Sequence, residues 1–171
     1  MMKTNVPDLN QFYKTMLAEQ LAAEKKYMKL FNQLTRLIHT DEIRLAISPA
    51  ETDIESHISR LSRAMKAAKH KVAAPLSGID SELLKTLKAS AGKGSSLLKD
   101  VEMIGTLKLI YSAKVSRYDS LYRMATVLLH EEYAGLLEQC SKDNQNTYAY
   151  LNQIAQNVLY PELSKPEASK P

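Results

Sequence analysis

The chain has 171 residues, 44% hydrophobic and 25% charged, an ordinary globular composition with length for one well-buried core, which excludes a disordered chain. Five Gly, six Pro and no Trp, with nine Tyr against two Phe, are too few turn formers for a sandwich or barrel and suit a few long helices. The net charge is only +4 and the cations are scattered, so neither a nucleic-acid patch nor a membrane-surface stripe is indicated.

The first predicted helix runs from Leu9 to about Ile38 without Gly or Pro, opened by Asp8 and Gln11 in a capping-box spacing. Its apolar residues Leu17, Leu21, Met28 and Phe31 alternate steps of four and three, the signature of a helix packed in a bundle. The step between Leu21 and Met28 lands on Glu24, a carboxylate in a core slot. Thr40, followed by Asp41 and Glu42, restarts a helix that Pro49 then interrupts. Two readings fit Pro49: a fresh N-terminus at Ser48-Pro49-Ala50-Glu51, or a kink in a continuous helix. In both, Ala50, Ile54, His57, Leu61, Ala64 and Ala68 continue the seam, and His57 is its polar member.

Pro75 and Gly78 mark a loop, and Asp80 or Ser81 caps a short helix to about Ser90. A long helix follows from about Ser96 to Leu129, with Val101, Ile104, Tyr111, Val115, Tyr118, Tyr122, Ala125 and Leu129 as its seam. After a break at His130-Glu131-Glu132, the last helix extends to about Leu159 and stops before Pro161. Its seam is Tyr133, Leu137, Cys140, Asn144, Thr147, Leu151, Ile154 and Val158. Residues 1–160 thus form one domain, and residues 161–171, with Pro166 and Pro171, are expected to be a mobile tail. The densest basic run, Lys66 to Lys71, falls at a helix C-terminus, where cations complement the dipole. The single cysteine, Cys140, excludes an intramolecular disulfide and is expected to be a small core residue. Neither an apolar leader nor a membrane-length apolar run is present, so the protein is expected to be cytoplasmic, without membrane or nucleic-acid partners.

Four long helices, with a short extra helix between the second and third, predict an all-α, antiparallel four-helix bundle. Di-iron bundles place one Glu on each of two helices and a Glu-x-x-His on each of the other two. This chain half-fulfils that template: Glu24 and His57 are suitable donors, but Ile54 stands at the helix-two Glu position, and Asn144 and Thr147 occupy the helix-four turn.

Leu21-Ala22-Ala23-Glu24-Lys25-Lys26 in the first helix is followed by His57 with Arg60-Leu61, and by Val115 with Tyr118 and Asp119. Met124-Ala125, His130-Glu131-Glu132 and Leu136-Leu137 lead into the fourth helix. In this order and spacing, over about residues 9–158, the chain resembles the YciE/YciF family of ferritin-like proteins. The molecular function of that family is unassigned and linked to bacterial stress responses. The resemblance implies a ferritin-like bundle, a homodimer, and a metal site between the helices. Residue by residue, Glu24 takes the first-helix ligand position and His57 the second-helix one. The third-helix Glu falls on Ser116, with Asp119 three residues later, and the fourth-helix Glu on Asn144.

Glu24, His57 and Asp119 are therefore the candidate metal ligands, enough for one ion at most. The leading reading is a non-catalytic bundle that has lost its di-iron centre and carries no cofactor. One alternative is a protein holding a single metal ion in iron handling or peroxide chemistry. The other is a stress-linked interaction module whose exposed tyrosines bind another protein. Without a metal, Glu24 and His57 remain as a buried pair, in which Glu24→Leu is expected to be neutral or stabilising.

Overall fold

A computed structural model of the chain describes residues 6–166. The elements are α1 (Val6–Leu34), α2 (Asp41–Ile47), α3 (Ile54–Ala67), α4 (Gly78–Ala91), α5 (Leu97–Val127) and α6 (Glu131–Ile154). A π-helical turn over Ala155–Leu159 then joins α6 to α7 (Tyr160–Leu163). No strand occurs among the described residues. The long helices α1, α5 and α6 form the bundle with α3, and α4 is the extra helix, packed against α5 and α1.

Several boundaries differ from the expectation, each for a physical reason. α1 starts at Val6, ahead of the proposed cap, and ends in a turn at Thr35–Leu37 in place of running to Ile38. At Pro49 the chain neither kinks nor restarts. Residues 49–53 form turns and bends, Ala50 is exposed, and helix resumes only at Ile54. The second long helix is thereby split into α2 and α3. Thr40 does open α2, but its own side chain makes no cap. The buried Asp100 carboxylate, from the first turn of α5, accepts from the backbone N–H of His39 at 3.1 Å and of Thr40 at 2.5 Å. Orphan donors at a helix start need such an acceptor, and here a distant helix supplies it.

Ser77, not Asp80 or Ser81, caps α4. Asp80 turns inward instead, accepting from Tyr27 Oη at 2.8 Å, the Arg117 guanidinium at 2.7 Å and Ser77 Oγ at 2.6 Å, which ties α4 to α1 and α5. At the far end, helix continues through Pro161 to Leu163. Proline lacks an N–H and its ring crowds the carbonyl four residues back; the wider π turn lies directly ahead of it, and Pro161 falls in the first turn of α7, where proline is tolerated. The expected tail thus begins as helix, and residues 167–171 lie outside the described residues.

The core divides along the bundle axis. One apolar cluster gathers Tyr27, Phe31 and Leu34 of α1, Ile43 and Ile47 of α2, Leu84 and Leu87 of α4, Ile104, Leu107 and Tyr111 of α5, and Leu151 and Ile154 of α6. The other gathers Tyr13 and Leu17, Leu61 and Ala64, Tyr118, Leu121 and Ala125, and Ala134, Leu137 and Cys140. Between them, in chain position on all four bundle helices, lie the buried polar residues Gln20, Glu24, His57, Lys114, Ser141 and Asn144.

Candidate functional site

The polar layer is built by strict seam spacing. On α1 the buried series Tyr13, Leu17, Gln20, Glu24, Tyr27, Phe31 and Leu34 steps by fours and threes, so Glu24 points into the core. The corresponding series on α5 is Ile104, Leu107, Tyr111, Lys114, Tyr118, Leu121 and Ala125. The seam expected through Val115 and Tyr122 is therefore displaced by one residue over the middle of α5, and Lys114 is the residue it conceals. Both Val115 and Tyr122 are only partly buried.

Lys114 and Glu24 form the centre of the layer. The Lys114 Nζ donates to Glu24 Oε2 at 2.7 Å, with 3% and 0% of the two side chains exposed. The other oxygen, Oε1, accepts from Tyr118 Oη at 2.9 Å and from Gln20 Nε2 at 3.2 Å. The Lys114 ammonium also lies 5.0 Å, 5.1 Å and 5.5 Å from the ring centroids of Tyr27, Tyr111 and Phe31. Ring faces attract a cation, and the attraction is strongest where water is excluded. Burial, with the Glu24 charge beside it, holds the Tyr118 hydroxyl well above its ordinary range, so it remains a donor.

His57 stands beside this pair and faces a second carboxylate. Its Nδ1 is 3.8 Å from Glu24 Oε1, beyond hydrogen-bond reach, and its Nε2 is 3.2 Å from Asp143 Oδ2. Asp143 also accepts from Arg60 at 2.8 Å and from Gln139 at 2.7 Å. Against burial, which pushes it up, these hydrogen bonds hold the Asp143 carboxyl below its usual value. Burial pushes the His57 imidazole down, and the Lys114 charge pushes the same way, outweighing Glu24 and Asp143. Asn144 donates its amide to the Cys140 carbonyl at 2.7 Å. The Cys140 thiol is buried and pushed up to about 12, chiefly by that burial, as an inert core residue is.

Of the three candidate ligands, the structure brings together Glu24 and His57 and leaves Asp119 elsewhere. The Asp119 carboxylate is half exposed on the outside of α5 and pairs with Arg123 at 2.8 Å, four residues on. The third donor is thus corrected: position 118 of that helix faces the core, and position 119 is rotated away by about 100°. Ser116 is exposed as well. Asp143 faces the layer but approaches the imidazole from its far side. Among the described residues, no three His, Cys, Asp or Glu side chains converge as a metal ion requires.

The residues present do not fit the metal that the fold implies. Glu24 is the one carboxylate at the centre, and its lone pairs are engaged by an ammonium, a phenol and an amide. A metal ion there would meet the Lys114 charge at close range in a medium that screens little.

A family model described as a domain of unknown function, DUF892, matches residues 8–163. The chain belongs to the DUF892 family. No curated protein sequence matches it. Among solved structures, this DUF892 chain is similar to the Escherichia coli stress protein YciF, with a TM-score of 0.80 and 16% identity over 91% of this chain and 97% of that one. YcfI from Rhodopseudomonas palustris aligns with a TM-score of 0.77 and 15% identity over 89% and 98%. At these identities the likeness establishes the fold, the ferritin-like helical bundle that the resemblance implied.

Proposed function

We propose that this DUF892 protein is a non-catalytic, stress-related bundle of the YciE/YciF type. Its core cation is the Lys114 ammonium, in place of a di-iron centre. The observation that carries this reading is the buried ion pair of Lys114 with Glu24. A di-iron pair brings four or more positive charges and requires several carboxylates to offset them. The centre of this layer offers one, Glu24, paired with Lys114, and Asp143 at its edge is paired with Arg60. The lysine places an ammonium of the right sign at the right depth, so the bundle holds together without loading.

The test is metal stoichiometry with a kinetic control. Purified protein incubated with Fe(II) and desalted should retain well under one iron per chain, and Fe(II) should oxidise at the rate of the buffer alone. Two tightly held irons per chain, or saturable oxidation abolished by Glu24→Ala, would overturn the proposal.

A further inference from the structure

Three buried side-chain polar atoms lack a partner among the described residues: Thr52 Oγ1, His57 Nδ1 and Asn144 Oδ1. All three belong to residues that line one cavity, together with Tyr111, Lys114 and Asp143. The cavity measures about 10 Å³, on the order of the space one water occupies. His57 and Asn144 are only 4% and 1% exposed, so bulk solvent does not satisfy them.

The chemistry of the lining specifies the occupant. His57 Nε2 faces an Asp143 carboxylate that only accepts, so Nε2 carries the proton and Nδ1 presents a lone pair. Asn144 commits its amide to the Cys140 carbonyl, which leaves Oδ1 as an acceptor. Two acceptors therefore demand an occupant that donates twice, and the Thr52 hydroxyl is free to donate back. Charge narrows the choice further. Glu24 is paired with Lys114 and Asp143 with Arg60, so a cation would meet the ammonium and an anion would meet two lone pairs.

We propose that this cavity is a binding site for a single water molecule. The water donates to His57 Nδ1 and Asn144 Oδ1 and accepts from Thr52. The cavity lies beside the surface. Thr52, Asp53 and Thr147 line both this cavity and a groove of about 400 Å³ at the surface, beside Leu45, Glu51 and Tyr150. The inference rests on the reading of Lys114 as the resident cation, because the charge balance at the cavity depends on it.

A high-resolution crystal structure of the full chain at neutral pH, with anomalous data, tests this. The expected result is one solvent peak at about 2.7–3.2 Å from both acceptors. Nitrogen-15 spectra of the same protein should show His57 protonated on Nε2, with a hydrogen-bonded Nδ1. An empty cavity, an Asn144 amide turned to bond His57 directly, or an Nδ1–H tautomer would overturn the water site and leave the lysine reading standing. A transition-metal peak in the cavity would overturn both.

Discussion

Lys114 changes what a substitution at Glu24 does. Considered as a partner of His57 alone, Glu24 looked replaceable by Leu at no cost. With an ammonium 2.7 Å away and 3% exposed, Glu24→Leu strands a buried charge. Loss of one partner of such a pair costs about 3–5 kcal/mol. Lys114→Met should cost a similar amount by urea denaturation, and a loss below about 1 kcal/mol would contradict the geometry. The same variant removes a charge that pushes the His57 imidazole down, so the His57 titration followed by proton NMR should move upward. The pH dependence has a definite sign. In the fold His57 titrates below its ordinary 6.5, so the unfolded chain binds more protons and stability falls as the pH drops from 6.5 through the folded value. Asp143, held below 3.8, keeps its contribution above that pH and loses it as the pH falls through its own folded value. His57→Gln should flatten the urea midpoint just below pH 6.5 and leave the acid limb in place. Glu24 and His57 were legible as core residues because the seam of each helix passes through them. Lys114 was concealed because α5 carries partly apolar residues on two adjacent tracks. One track runs through Val115 and Tyr122, the other through Lys114 and Leu121, and only packing against α1 selects between them.

At the scale of the element, the long helices were legible from periodicity and the ends were not. The end signals are supplied from elsewhere in the chain. The break after Ile47 is visible in Pro49, but the acceptor for the start of α2 comes from Asp100, about sixty positions away in sequence. Asp100→Ala should cost about 1–2 kcal/mol, because two backbone donors lose their partner. Stability unchanged in thermal denaturation would show that those donors are satisfied otherwise. Two helices close on a left-handed residue that is not glycine: Lys69 at φ 52° after α3 and Leu129 at φ 60° after α5. In both, the following N–H reaches back to a carbonyl five residues earlier, His70 to Met65 and His130 to Ala125, as glycine-closed helix ends do. Leu129 is 81% exposed, so its side chain contributes little packing to offset the backbone cost. Leu129→Gly should stabilise the protein by about 1 kcal/mol, read as a raised melting temperature, and a lowered one would contradict the assignment. The seam spacing places Leu129 in the core, but α5 ends at Val127 and the helical period does not extend past it.

For the whole molecule, a helical bundle was legible because the seams and their order follow from period and punctuation, and the family resemblance implied its ferritin-like fold. The division of its core into two apolar clusters joined by a polar layer was half legible, through Glu24, His57 and Asn144. The charge that balances the layer was not. A polar layer across a bundle fixes the register of the helices, since sliding one helix by a turn would strand every partner at once. The homodimer implied by the family resemblance is a separate expectation. Light scattering should give about twice the 19.2 kDa of one chain, and a monomer mass at micromolar concentration would contradict it. Lys114 and Glu24 complete each other across the layer, and a double-mutant cycle measures that directly. Unfolding free energies of the wild type, Glu24→Leu, Lys114→Met and the double variant should show strong coupling, at least about 2 kcal/mol. The double variant should recover most of what either single change loses. Additive losses across the cycle, with the double variant the least stable of the four, would contradict it.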